Sequence, residues 1–153
     1  MTPRKPSNFD NVVSIAKRKR NAPKASQRIR KPKKMSISKL QKLLWVECKR
    51  IIRQKYGNVC YTCGKTGLEG SNWHTGHFVP NASGGAYLRF NLKNLRPQCY
   101  NCNINLGGNG VFYYRELVRR EGEKYVEEII SDKQKIIKAY DHYSMLLEQY
   151  KNL

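Results

Sequence analysis

Two Cys-x-x-Cys pairs, Cys60/Cys63 and Cys99/Cys102, constrain this chain more than any other feature it carries. Four thiolates on two tight turns make a closed tetrahedral ligand set of the kind that suits zinc. With no open coordination position such a metal is structural, and its binding energy is folding energy. The pairs lie 35 residues apart, beyond the usual ribbon spacing, so a segment is inserted between the two knuckles. Joining the ends of that insertion fixes the geometry of the side chains it carries, and a small irregular core needs such a staple. The fifth cysteine, Cys48, falls within a helical pattern and reads as a buried structural thiol.

The 153 residues allow one modest domain plus tails, and the formal net charge is +19. An excess of that size favours a polyanionic partner, nucleic acid before anionic membrane. No apolar run approaches the length of a spanning helix. The N-terminus is interrupted by prolines and charges and lacks the apolar segment of a signal peptide. We therefore expect a reducing cytoplasm, where paired Cys-x-x-Cys motifs read as metal ligands sooner than as disulfides. Residues 1–36 hold twelve Lys or Arg against one acid, Asp10, and so supply +11 of the total charge. With four prolines and few apolar residues they read as a disordered basic arm. Lys17, Arg18, Lys19, Arg20, Lys31, Lys33 and Lys34 would hold phosphates without reading sequence; a solvated tail is the alternative.

From Ser38 the pattern becomes helical. Ser38 and Gln41 fit a capping box, Leu40, Leu43, Leu44, Cys48, Ile51, Ile52 and Lys55 recur at helical spacing, and Gly57 stops the helix. Its other face carries Lys42, Lys49, Arg50 and Arg53, either a wet surface or a second phosphate-facing one. Residues 58–108 are Gly-rich and irregular, with strands expected at 59–62 and 72–79 and a loop at 81–86. Beyond Gly108, Phe112, Leu117 and Val118 mark one helix, which Gly122 breaks, and Tyr125, Val126, Ile129 and Ile130 mark the next. A last helix runs through Ile136, Ile137, Tyr140, Tyr143, Met145, Leu147 and Tyr150. Its apolar stripe packs on its own domain or pairs with a second copy as a homodimer. The expected organisation is an arm (1–36), a zinc-stapled domain (37–131) and a C-terminal helix (132–153).

The insertion holds two of the three histidines, in the run Trp73-His74-Thr75-Gly76-His77-Phe78-Val79-Pro80. Arg89-Phe90, then Asn94-Leu95, then Pro97-Gln98-Cys99-Tyr100-Asn101-Cys102-Asn103 follow it. This order resembles the His-Me finger (HNH-type, ββα-metal) nucleases and, more narrowly, the phage NinG/Rap family of recombination endonucleases. The resemblance covers about residues 38 to 130, leaving out the arm and the last helix. It implies an α+β fold with a small ββα-metal core flanked by helices. It also implies that His77 is the general base, a role suited to a neutral imidazole near pH 7. Asn94 matches the middle Asn that holds the loop and orients the histidine. Asn103 matches a ligand of a catalytic Mg²⁺ or Mn²⁺, ions that favour carboxamide oxygen more than zinc does.

One position departs from the pattern. Many such sites place a ligand directly before the base, where this chain has Gly76. His74 could substitute, but residues three apart on a strand face opposite sides, so a bulge at Gly76 would be required. Otherwise His74 is structural or contacts phosphate. Arg89 is a phosphate contact or a salt-bridged surface arginine, and His142 an ordinary surface histidine.

The function expected is a metal-dependent endonuclease that hydrolyses DNA phosphodiesters. The resemblance implies branched recombination intermediates such as Holliday junctions as substrate, although no residue by itself shows branch selectivity. The rivals are a non-catalytic zinc-ribbon protein that binds nucleic acid and an HNH nuclease acting on linear duplex.

Overall fold

In the computed structural model, which describes residues 34–153, helix α1 (Ile37–Tyr56) buries Leu40, Leu44, Cys48 and Ile52 along one face. Its cap is Ser36, whose hydroxyl accepts from Lys39 N–H at 3.3 Å, so the helix starts before the expected Ser38–Gln41 box. Gly57, at φ 66, ends it as expected, because that conformation is open to glycine and strained for other residues. Lys55, counted in the apolar pattern, is exposed. Cys48 is buried, its thiol donates to Phe90 O at 3.7 Å, and burial pushes its pKa up to about 12.

The sheet has two antiparallel strands, β1 (Trp73–His77) and β2 (Leu95–Cys99), in unbroken register from Trp73↔Cys99 to His77↔Leu95. No strand forms at 59–62. Those residues make the first cysteine turn and touch the sheet through Tyr61 N–H to Pro97 O at 2.8 Å. Sequence reading missed β2 because Arg96, Pro97 and Gln98 break any apolar alternation, yet all five of its residues are buried. Each polar member has its own partners. Arg96 donates to Leu92 O, Lys93 O, Leu95 O, Glu121 and the Tyr125 hydroxyl, and lies over the rings of Tyr56 and Tyr61. Gln98 donates to Thr62 Oγ1 at 2.7 Å and to Gly108 O at 2.8 Å.

The stretch expected as a loop after β1 folds instead as helix α2 (Asn81–Leu88), broken at Gly85. Pro80 O accepts from Ser83 and Gly84 N–H, and Leu88 packs with Val79 and Ile129, which makes the turn helical despite its polar sequence. Helices α3 (Gly110–Glu121) and α4 (Glu123–Ser131) are separated at Gly122, as expected. The last helix, α5 (Ala139–Lys151), starts later than its apolar pattern, and Ile136 is 97% exposed.

Helix α5 lies along α1. Its Tyr143, Leu146, Leu147 and Tyr150 join Leu40, Leu44, Cys48 and Ile52 in one core, and the Tyr150 hydroxyl donates to Phe90 O at 2.8 Å. Of the stripe that offered pairing with a second copy, Tyr143, Leu147 and Tyr150 are buried within their own domain, whereas Ile136 and Met145 stay exposed. Residues 34–153 form a single unit, with no division before α5. The architecture is α+β, with α1 and α5 on one face of the hairpin and α3 and α4 on the other.

The four cysteines converge at the end of β2, all Sγ atoms lying within 4.8 Å of one another and Cys63 and Cys99 3.8 Å apart. Zinc–thiolate bonds of about 2.3 Å make a tetrahedron whose edges are about 3.8 Å, so the cluster could hold zinc with little adjustment. The Cys102 N–H and the Asn109 carboxamide point at the sulfurs of Cys99 and Cys102, donors that stabilise thiolate.

Two outcomes are expected. Cys102→Ser, or chelation, should abolish the cooperative thermal transition seen by circular dichroism. Structural zinc contributes about 10 kcal/mol or more, comparable with a whole domain's stability. Gly76→Ala should destabilise by more than about 1 kcal/mol through overpacking, since a Cβ there would lie 1.9 Å from Gln98 Oε1. Denaturant melts should show a smaller effect of Gly76→Ala in a Gln98→Ala background, because the two positions are in contact.

Candidate active site

β1 brings Trp73, Thr75 and His77 to one face of the hairpin, toward α1, and His74 and Gly76 to the other. His77 stacks on Trp45 of α1, with ring centroids 5.3 Å apart and planes 2° from parallel. His77 Nε2 lies 2.9 Å from Arg89 O. A carbonyl can only accept, so Nε2 carries the proton and Nδ1 keeps the lone pair that a base needs. Burial holds the imidazole below its usual 6.5. The bond to Arg89 O works against this shift, and the Arg89 charge adds to it.

Asn94 organises the loop that presents Arg89. Fully buried, it accepts from Val79 N–H at 2.7 Å and donates to Val79 O at 3.0 Å and Leu88 O at 3.2 Å. Its own carbonyl accepts from Phe78 N–H at 2.9 Å. Asn94 thus ties the residues just after His77 to the residue just before Arg89, and it reaches the histidine through a carbonyl instead of touching it. Arg96 pins the same loop from below through the carbonyls of Leu92, Lys93 and Leu95.

His74 and Asn103 meet on a different line. The Asn103 carboxamide lies 3.3 Å from His74 Nδ1, and His74 Nε2 donates to Ser71 O at 2.9 Å. A metal-ligating histidine commonly donates its second N–H to a carbonyl, so Nδ1 is oriented as a ligand nitrogen would be. The bulge that would bring His74 to the face of His77 does not form: the register through Gly76 is continuous, so His74 meets Asn103 on the face opposite His77 and the two histidines are not brought together. Position 76 has no room for a ligand side chain because Gln98 lies across it. Among the described residues, no carboxylate joins His74 and Asn103 in a metal-sized cluster.

A cleft of about 530 Å³ between α1 and β1 takes in Trp45, Lys49, Arg53, His74, Thr75 and Asn103. A second, of about 380 Å³, is lined by Lys42, Trp45, Asn81, Arg89 and Phe90. Trp45 belongs to both, so the Trp45–His77 stack stands between them. Lys42, Lys49, Arg53 and Arg89 are exposed and form no salt bridge among the described residues. Arg50 differs. It donates to Glu47, Gln54 and Tyr150 O, and so joins α1 to α5. Lys34 is exposed over the Tyr140 ring. His142 is half-buried between Tyr87 and Tyr143. Lys17, Arg18, Lys19, Arg20, Lys31 and Lys33 lie outside the described residues. Sequence reading missed Trp45 and Thr75. A tryptophan flanked by lysines on a helix was the visible signal for the first, and nothing local marked the second.

The chain matches the family model described as bacteriophage lambda NinG protein over residues 7–153. It is 40% identical to protein ninG of Escherichia phage lambda over 73 residues, 48% of this chain and 34% of that protein. It is 38% identical to the ninG proteins of Escherichia phage 933W and Salmonella phage P22 over 73 residues, 48% of this chain and 35% and 34% of theirs. The matched stretch thus spans about a third of the length of these relatives. No solved structure matches the chain. With the family model spanning all but the first few residues, the chain belongs to the NinG family.

Proposed function

We propose that this protein is a metal-dependent DNA endonuclease of the His-Me finger type, acting on branched DNA. The observation that carries the reading is His77: an imidazole with Nε2–H fixed on Arg89 O and Nδ1 left as a base, stacked on Trp45. Trp45 lines two clefts whose cations Lys42, Lys49, Arg53 and Arg89 form no salt bridge among the described residues. A histidine that merely filled space would not need the Asn94 clamp that sets the carbonyl. The hairpin followed directly by the helical turn Asn101–Asn105 supports a ββα-metal arrangement, and the family supports a phage role.

His77 Nδ1 takes a proton from the attacking water as its oxygen adds to phosphorus, and the bond to the 3′ oxygen breaks. Lys49, Arg53 and Arg89 balance charge on the flanking phosphates. Asn103 Nδ2 donates to His74 Nδ1, so a divalent ion such as Mn²⁺ held by His74 Nδ1 and the Asn103 carboxamide oxygen would have to replace that hydrogen bond. When bound, that ion would neutralise charge on the scissile phosphate and on the departing oxygen. With two protein ligands and no carboxylate among the described residues, binding of the ion should depend on DNA. Zinc at the four cysteines has no open position and takes no part in this chemistry. No helix among the described residues is long and apolar enough to cross a membrane.

The test is cleavage of end-labelled four-way junctions and matched linear duplex with Mg²⁺ or Mn²⁺. Junction cutting is expected, slowed by about 10²–10⁴ in His77→Ala with DNA binding retained. Equal cutting of linear duplex would remove the branch preference, and binding without cutting would leave a zinc-ribbon binder. The pH dependence has a definite sign. Because the folded protein disfavours imidazolium, the acid limb of the rate profile should have its midpoint below 6.5, with the active neutral base populated above it. The same shift makes stability full above pH 6.5 and progressively lost as pH falls through the folded-state value.

A further inference from the structure

We propose that the cleft between α1 and β1 is a single-strand nucleotide site, in which an unpaired base stacks against Trp45 while its phosphates sit on Lys49 and Arg53. This rests on the nucleic-acid part of the reading above and adds the form of the substrate: the strand must be unpaired where it crosses the site. At about 530 Å³ the cleft falls in the range of small-ligand pockets, with room for a nucleotide rather than a stacked duplex. Its walls combine aromatic rings with cations, the pairing that holds single strands without reading their sequence. Lys49 Nζ lies 5.8 Å from the Trp45 ring centre, and the Arg53 guanidinium lies 5.0 Å over Trp73.

A second observation points to a ligand. Thr75 is buried on the cleft wall, 6% exposed, and its hydroxyl has no hydrogen-bond partner. A buried, unpartnered hydroxyl is destabilising by itself. The hydroxyl lies just beneath the cleft wall, and that penalty is relieved when a phosphate or sugar oxygen seated in the cleft shifts the wall enough to meet it. His74 and Asn103 line this cleft, and so does Trp45, which stacks on His77.

The chain's only two tryptophans, Trp45 and Trp73, both line this cleft, so intrinsic fluorescence reports on it directly. The zinc-loaded full chain is titrated with a dT oligonucleotide and with a duplex of equal length, at matched ionic strength and without Mg²⁺ or Mn²⁺. The single strand should quench the tryptophans and bind at least about tenfold more tightly by this signal than the duplex. Thr75→Val should lower that affinity about tenfold while leaving the melting temperature unchanged or higher, because it removes a hydroxyl the free protein leaves unpaired. Trp45→Leu should weaken binding similarly, and its fold is checked by circular dichroism. Equal quenching by duplex, or unchanged affinity in Thr75→Val, would overturn the proposal. Tight binding of the single strand without quenching would also overturn it and leave the nucleic-acid reading intact. Quenching without cleavage in the junction assay would instead sink the nuclease reading and keep the site.

Discussion

The convergence of four cysteine sulfurs at the end of β2 is the constraint on which the rest of the domain depends. The hairpin has only two strands, and a pair that short is marginal in water. Joining the turn at Cys60–Cys63 to the end of β2 and the turn beyond it closes the long insertion, which removes much of its freedom in the unfolded chain. Everything the insertion carries, from His74 to Asn94, then sits in a frame held at both ends. The helices add apolar burial on each face: α1 with α5 around Leu44, Cys48 and Tyr150, and α3 with α4 around Tyr113, Leu117 and Val126.

Inside that frame the site is positioned by buried polar groups more than by packing. Asn94 is saturated by backbone on both sides of the β1–α2 connection, and Arg96 collects three carbonyls from the segment that carries Asn94. A buried guanidinium is tolerated here because Glu121, the Tyr125 hydroxyl and the tyrosine faces supply what water would. Satisfied networks of this kind rigidify a core and specify one arrangement. Two atoms are exceptions, Arg96 Nε, buried without a partner, and one on Gln98. Its amide is bonded, but its carbonyl oxygen is buried without a partner against Gly76. The glycine before His77 is therefore a steric consequence of Gln98, and it explains why the position usual for a ligand side chain holds none.

The electrostatics follow the same division. The metal-sized cysteine cluster lies with the knuckles, while the imidazole of His77 is stacked under Trp45, a residue that lines two clefts edged with cations. A positive field of this kind attracts phosphate, and the nearby Arg89 charge also disfavours protonation of His77. The cations on α1 divide accordingly. Lys49, Arg50 and Arg53 all line the cleft, and Arg50 alone of the three also donates to Tyr150 O and so holds α5. A helical wheel cannot make that distinction, because it depends on where the C-terminal end of α5 lands.

By itself the sequence determined what local spacing controls: the four-thiolate set, the helices from periodicity and glycine stops, the excess of positive charge, and the order His77, Asn94, Asn103. These are legible because ligand pairs, helix faces and net charge are properties of residues close together in the chain. Only the tertiary structure decided the rest. β2 is a strand because partners distant in sequence hold the Arg96 guanidinium and the Gln98 amide nitrogen, and residues 81–88 are helical because Leu88 finds Val79 and Ile129. His74 meets Asn103 on the face opposite His77, Trp45 covers His77, Thr75 is left with an unpartnered hydroxyl, and Tyr143, Leu147 and Tyr150 of α5 are buried with α1. Each is a contact across about 30 residues or more, or the lack of one, and no local preference encodes which distant surface a side chain will meet.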